Sequence, residues 1–177
     1  MMIPFPDKIY DIIYADPPWL YNDKLGGGGA EEHYPCLTIS DLMKLPVISI
    51  ASSNSSLFLW ITPPHLPHAF EVIDAWGFSY KTVAFTWVKR NRCSPSWFMG
   101  LGHYTRSNAE LCLIATRGSP RRQSMGVRSV VDTPIERHSK KPDCVRDRIV
   151  ELYGNVPRIE LFARERVDGW DAWGNEI

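Results

Sequence analysis

Two periods of apolar residues alternate along this chain. The run Tyr10-Asp11-Ile12-Ile13-Tyr14-Ala15 is β-branched and aromatic, and it predicts a buried strand that ends at Asp16. Similar runs predict strands over Ser56–Thr62, Tyr80–Val88, Glu110–Thr116 and Arg158–Ala163. Between them the spacing changes to that of a helix. Leu66, Ala69, Phe70, Ile73 and Trp76 fall on one face of a helix over His65–Trp76, which Gly77 stops. Thr38–Lys44 reads as a short capped helix. Pro142–Tyr153 reads as a longer one, with Pro142 in its first turn and Gly154 beyond its end. Lys89–Ser107 has neither period and is expected to be loop-rich, and Arg117-Gly118-Ser119-Pro120 reads as a turn. Strands and helices alternating at these lengths predict a single three-layer α/β domain, a mainly parallel sheet flanked by helices.

The first strand delivers Asp16-Pro17-Pro18-Trp19 to its carboxyl end, where open α/β sheets keep their ligands. Asp-Pro-Pro is also an ordinary exit from a strand. The indole that follows points to chemistry on the exocyclic amine of a nucleobase. That nitrogen is a poor nucleophile, because its lone pair is delocalised into the ring. Asp16 supplies an acceptor that draws on its protons. Pro17 has a carbonyl, no N–H and a stiff backbone. Trp19 is expected to offer a flat face to the base.

Composition narrows the class. No apolar run is long enough to span a bilayer, and no signal-peptide pattern opens the chain. Cys36, Cys93, Cys112 and Cys144 are scattered without a Cys-x-x-Cys, as in a cytoplasmic protein with reduced thiols. His65 and His68 lack a third ligand at useful spacing, so no metal site is expected, and both read as surface residues of a helix start. The net charge of zero conceals an asymmetry: Lys89–Arg148 holds thirteen Lys/Arg against five Asp/Glu, a formal +8. Such a segment suits phosphate backbones, with a solvated basic surface as the alternative. Seven of its cations, Lys89, Arg90, Arg92, Arg106, Arg121, Arg122 and Arg128, are the candidate backbone contacts, interleaved with Trp97, Phe98 and Tyr104, aromatics that suit unstacked bases. Gly26-Gly27-Gly28-Gly29 is not followed by a phosphate-binding helix start and reads as a flexible lid near Asp16.

An ordered set of motifs then carries a resemblance over Tyr10–Glu176. It comprises Asp16-Pro17-Pro18-Trp19, Leu57-Phe58-Leu59-Trp60, Trp76-Gly77-Phe78, Asn108-Ala109-Glu110-Leu111-Cys112-Leu113, His138-Ser139-Lys140-Lys141-Pro142-Asp143, Glu160-Leu161-Phe162-Ala163-Arg164 and Trp173-Gly174-Asn175-Glu176. The chain resembles the S-adenosylmethionine-dependent adenine-N(6) methyltransferases of the mRNA adenosine methyltransferase catalytic-subunit type, which include compact bacterial and phage members. The resemblance implies a Rossmann-like class I methyltransferase fold in permuted order, with the base motif ahead of the cofactor strand. The aromatic-Gly-x-Gly signature common in methyltransferases has no counterpart in Phe162-Ala163-Arg164. Carried over residue by residue, it implies cofactor contacts from Lys141, Arg164 and Asn175, and more loosely Glu176. Lys141 would face the methionyl carboxylate, and Asn175 and Glu176 the ribose hydroxyls. It also implies that Glu110 contacts the base or its neighbour. Tyr34 is expected to wall the adenine together with Trp19.

The expected function is methyl transfer to adenine N(6) in nucleic acid, DNA favoured over RNA. Asp16 and the Pro17 carbonyl would orient the amine, and the target base would leave the stack of a duplex. A non-catalytic nucleic-acid-binding relative would be expected to have lost either the Asp-Pro-Pro-Trp group or the cofactor residues, and both are present. A small-molecule amine methyltransferase would leave the basic segment without a purpose. A domain this small gains contact area as a homodimer.

Overall fold

The computed structural model describes residues 4–20, 37–102, 104–137 and 139–177. Seven strands form one sheet: β1 (Tyr10–Ala15), β2 (Ala51–Ile61), β3 (Ser79–Arg90), β4 (Ala109–Arg117), β5 (Val130–Pro134), β6 (Arg158–Leu161) and β7 (Asp171–Trp173). Their order is β5-β3-β4-β2-β1-β6-β7. Four of the six pairings are parallel, and β4 alone runs against both its neighbours. The carboxyl ends of the other six strands therefore line one edge of the sheet, joined there by the amino end of β4.

Helices α1 (Ile39–Met43) and α2 (Leu66–Ala75) cover one face, and α3 (Cys144–Tyr153) covers the other. β1 is buried from both sides. Ile13 and Ala15 join Leu42, Val72, Ile73 and Trp76 in one core, while Ile12 and Tyr14 join Val145, Ile149 and Tyr153 in the second. A strand covered on both faces reads as a continuous apolar run, which is why β1 was legible. Thr38 caps α1 by accepting the Asp41 N–H at 3.1 Å. The Trp76 indole donates to the Leu42 carbonyl at 2.8 Å and locks α2 to α1. Gly77 stops α2 at φ +80°, where a Cβ would lie 2.5 Å from the Ile48 side chain.

The departures from expectation have local causes. β5 and β7 are additional to the expected strands: β5 buries only Val131 and exposes Asp132 and Pro134, and β7 has only three residues. β2 begins at Ala51, which pairs with Tyr10 ahead of an irregularity in the register, and the polar stretch Ser52–Ser56 shows no apolar alternation. β6 ends at Leu161 rather than Ala163, because Phe162 takes φ +61° and turns the chain. α3 starts at Cys144, two residues later than its proline suggests.

Leu59 sits on β2, fully buried, opposite Ala15 of β1 and Leu113 of β4. Leu59→Ala is expected to lower the unfolding free energy by about 3 kcal/mol in urea titration. A loss under about 1 kcal/mol would show that the sheet centre is loosely packed.

Candidate active site

Four charged side chains from four parts of the chain meet at the carboxyl edge. Asp16 follows β1, Lys89 lies near the end of β3, Glu110 is the second residue of β4, and Lys141 stands in the turn before α3. Lys141 Nζ lies 2.7 Å from Asp16 Oδ2 and 3.3 Å from Glu110 Oε2, and it points to the Ser139 carbonyl at 3.4 Å. Lys89 Nζ donates to the other oxygen of Glu110. The side chains of Asp16, Lys141 and Glu110 are only 22%, 11% and 14% exposed. Indole rings lie beneath the cations: Lys141 Nζ is 5.6 Å from the centre of Trp60, and Lys89 Nζ is 5.0 Å from that of Trp87.

Burial and pairing oppose each other within this cluster. Burial lifts the Asp16 carboxyl above its ordinary value, against the pull of Lys141. Burial also lifts Glu110, but Lys141 and Lys89 together outweigh it and leave its carboxyl below the usual range. Burial depresses Lys141, yet Asp16 and Glu110 more than offset it and keep the ammonium charged. Asp16 is thus a reluctant carboxylate held by one lysine. Among the described residues no hydrogen bond is made to its Oδ1.

The rest of Asp-Pro-Pro-Trp is anchored. The Pro17 carbonyl accepts the Trp19 N–H at 2.9 Å and retains a second lone pair, and the Pro18 carbonyl accepts the Leu37 N–H at 3.0 Å. Trp19 differs from expectation. It is 5% exposed, its indole donates to the Trp60 carbonyl at 3.0 Å, and it stacks on His65 with ring centres 5.5 Å apart. Instead of presenting an open face to a base, it fastens the turn to β2. His65 is likewise buried rather than on the surface, bonded to Thr62 Oγ1 at 2.9 Å and to the Leu20 carbonyl at 3.2 Å. His68 is exposed beside Glu71. Tyr34, Cys36 and the glycine run at 26–29 lie outside the described residues.

Of the residues assigned to the cofactor, Lys141 and Arg164 lie beside Asp16. β6 pairs with β1, Leu161 opposite Ala15, so Arg164 emerges next to Asp16 and pulls its carboxyl downward. The Ala163 N–H donates to the Trp173 carbonyl at 3.0 Å, and a Cβ on Gly174 would lie 2.3 Å from the Ala163 carbonyl oxygen. This close lacing brings Glu176, which follows Asn175, alongside Arg164, whose Nε is 3.6 Å from Glu176 Oε1.

The basic segment is divided. Arg90 is committed to Asp132 through two bonds of 2.6 and 2.7 Å, to the Pro95 carbonyl, and to the face of Trp97. Lys89 is committed to Glu110. Arg92 and Arg106 are exposed between β3 and β4, at the edge that holds Asp16. Arg121 and Arg122 follow the carboxyl end of the antiparallel β4, and Arg128 precedes β5, so all three lie at the opposite edge. One surface therefore does not hold all seven cations, and Arg121 and Arg122 stand away from the site.

Sequence reasoning missed a buried ion pair behind the site. Arg146 of α3 grips Glu160 of β6 at 2.7 and 3.2 Å and reaches Asp143 at 2.6 Å. A glutamate inside the apolar run Ile159–Leu161 was the available signal, since such a charge needs a partner.

An α/β sheet with an acid-proline-proline-indole turn at its carboxyl edge, beside laced segments rich in polar groups, defines a Rossmann-like methyltransferase. The MT-A70 family model matches residues 10–176, and the chain belongs to that family. It is similar to the "Type II methyltransferase M.MunI" of Mycoplasma sp, 35% identical over 97% of this chain and 79% of the relative. It is also similar to the "N(6)-adenosine-methyltransferase catalytic subunit METTL3" of Homo sapiens, 27% identical over 95% of this chain but 28% of the relative. The "N(6)-adenosine-methyltransferase MT-A70-like" protein of Arabidopsis thaliana is 27% identical, over 95% of this chain and 24% of its own length. The chain thus spans most of the first and about a quarter of the other two. It is an S-adenosylmethionine-dependent methyltransferase. The donor set suits that cofactor: cations for a carboxylate, an acid for an ammonium, and an amide and a carboxylate for a ribose diol, all within one stretch of edge.

Because folding lowers the Glu110 pKa, the ionised group stabilises the fold above its ordinary range, and that contribution fades as pH falls through the lowered value. Glu110→Gln is expected to lose about 2 kcal/mol near neutrality, with the gap from the parent protein narrowing as pH falls below the ordinary glutamate range in urea unfolding. A gap that stays constant with pH would refute the charge pairing.

Proposed function

We propose that this protein methylates the N(6) amine of adenine in DNA, and that Asp16 is the acceptor that holds the amine. The observation that carries this reading is the half-buried Asp16 carboxylate at the sheet edge. Oδ2 is tied to Lys141, and Oδ1 makes no bond among the described residues. Oδ1 accepts one amine proton, and the second lone pair of the Pro17 carbonyl takes the other. Together they favour a pyramidal nitrogen and stabilise the positive charge that grows on it. Lys141 opposes the burial that raises the Asp16 carboxyl. Asp16 need not be a strong base, since the alkylated nitrogen sheds its proton readily. Alignment of this kind contributes several kcal/mol, up to ~7–11 in ideal intramolecular cases.

When bound, S-adenosylmethionine supplies a methyl group activated by a sulfonium. Lys141, Arg164, Asn175 and Glu176 would hold it, Arg164 and Lys141 toward the carboxylate and the last two toward the ribose. Glu110 sets the charge on Lys141 and faces the base side of the cluster. Arg92 and Arg106 supply phosphate contacts. DNA is favoured because the chain is 35% identical to the type II methyltransferase and 27% identical to the adenosine enzymes. The names of the latter support RNA as the second reading. We place the reaction in the cytoplasm. Among the described residues no helix is long and apolar enough to cross a membrane.

Incubation with a radiolabelled methyl donor and adenine-containing DNA or RNA oligonucleotides, followed by nucleoside analysis, tests this reading. Label is expected in N(6)-methyldeoxyadenosine. Asp16→Ala is expected to reduce the rate by at least about 100-fold while retaining the fold by circular dichroism. Full activity in Asp16→Ala would remove its assigned role, and label in RNA alone would favour the second reading.

A further inference from the structure

We propose that the tip of the β3–β4 connection is a wedge that enters a DNA duplex and fills the gap left when the target adenine swings out to Asp16. The proposal rests on the reading of the protein as a DNA adenine methyltransferase.

The connection is built as an arm rather than a loose loop. At its root the Lys89 N–H donates to the Asn108 carbonyl and the Phe98 N–H to the Lys89 carbonyl, both at 2.9 Å. The Asn91 amide reaches Ser96 Oγ at 2.7 Å and the Trp97 carbonyl at 3.1 Å, and Arg90 stacks on Trp97 at 3.9 Å. The root touches the site directly, because Lys89 bonds Glu110 and Glu110 bonds Lys141. Further out, the Gly100 N–H donates to the Ser107 carbonyl at 3.0 Å and closes the tip. The backbone there is tight. A Cβ on Gly100 or Gly102 would lie 2.1 Å from the carbonyl oxygen of Ser107 or Thr105.

This shaped tip displays apolar side chains to water. Leu101 is 91% exposed, Met99 is 70% exposed, and Tyr104 is completely exposed. Apolar groups held outward on a defined turn mark a contact surface. The charge on the arm specifies the partner: residues 91–108 include Arg92 and Arg106, both exposed, and no Asp or Glu. Cations flanking apolar and aromatic tips match a duplex, whose phosphates take the arginines and whose opened base step takes a stacked ring or an aliphatic wedge. Extrusion of the adenine costs unstacking and unpairing, which a side chain filling the vacancy offsets.

The test uses one adenine-containing sequence presented as a single strand, as a matched duplex, and as a duplex with an abasic site opposite the adenine. The double variant Leu101→Ala, Tyr104→Ala is expected to lower the ratio of duplex to single-strand methylation about tenfold. The abasic duplex recovers most of that loss, and Tyr104→Trp alone retains the parent ratio. An unchanged ratio, or an equal loss on all three substrates, overturns the wedge. A parent protein that methylates only single strands also overturns it, as does a double variant that sediments as monomer where the parent sediments as dimer, which would make a second copy the occupant. If the parent protein methylates no DNA in any form, the underlying reading of the function falls, and the control lanes show that separately from the variant.

Discussion

The site depends on one ammonium group caught between two carboxylates. Lys141 comes from the turn before α3, Asp16 from the end of β1 and Glu110 from the start of β4, and none of the three is fully in water. Either acid alone would resist ionisation at this depth, and the lysine alone would resist protonation. Together they form a paired array at the rim of an apolar sheet. The array leaves Asp16 a poorly solvated carboxyl, raised by burial and opposed by Lys141, in a setting where hydrogen bonds to a developing positive charge are strong.

The sheet exists in the form this array needs. Parallel pairing of β1 with β2 and β6 carries Asp16 and the Phe162–Arg164 turn to one edge. The antiparallel β4 brings its amino end, with Glu110, to that same edge, where a parallel strand would have brought its carboxyl end. Trp19 and His65 stack behind the Asp-Pro-Pro turn and make it rigid. The Arg146–Glu160 pair fixes α3 against β6, and so fixes the start of the helix that Lys141 precedes.

Much of this was legible before the fold was known. β1 reads clearly because burial on both faces leaves an uninterrupted apolar run, and Asp16 stands at its end. α2 reads clearly because one helical face is apolar and a glycine stops it. β5 and β7 do not, since short, partly polar strands carry no period. The direction in which Trp19 points was not legible either: an indole after a turn serves a base or a core equally well, and only the position of the Trp60 carbonyl decides. Arg121, Arg122 and Arg128 sit in the same linear block as Arg106, yet β4 reverses the chain and carries them to the far edge. Linear charge density does not record strand direction. The Lys141 contacts link residues 125 positions apart in the case of Asp16. Spacing alone shows no such pairing, and only the family resemblance placed these residues in one site.

The most direct test is the structure of the protein with adenine-containing DNA and a non-reactive analogue of S-adenosylmethionine. The adenine N(6) is expected within about 2.6–3.2 Å of an Asp16 carboxylate oxygen and facing the position of the transferable methyl. An amine held by other groups, with both Asp16 oxygens bound only within the protein, would contradict it.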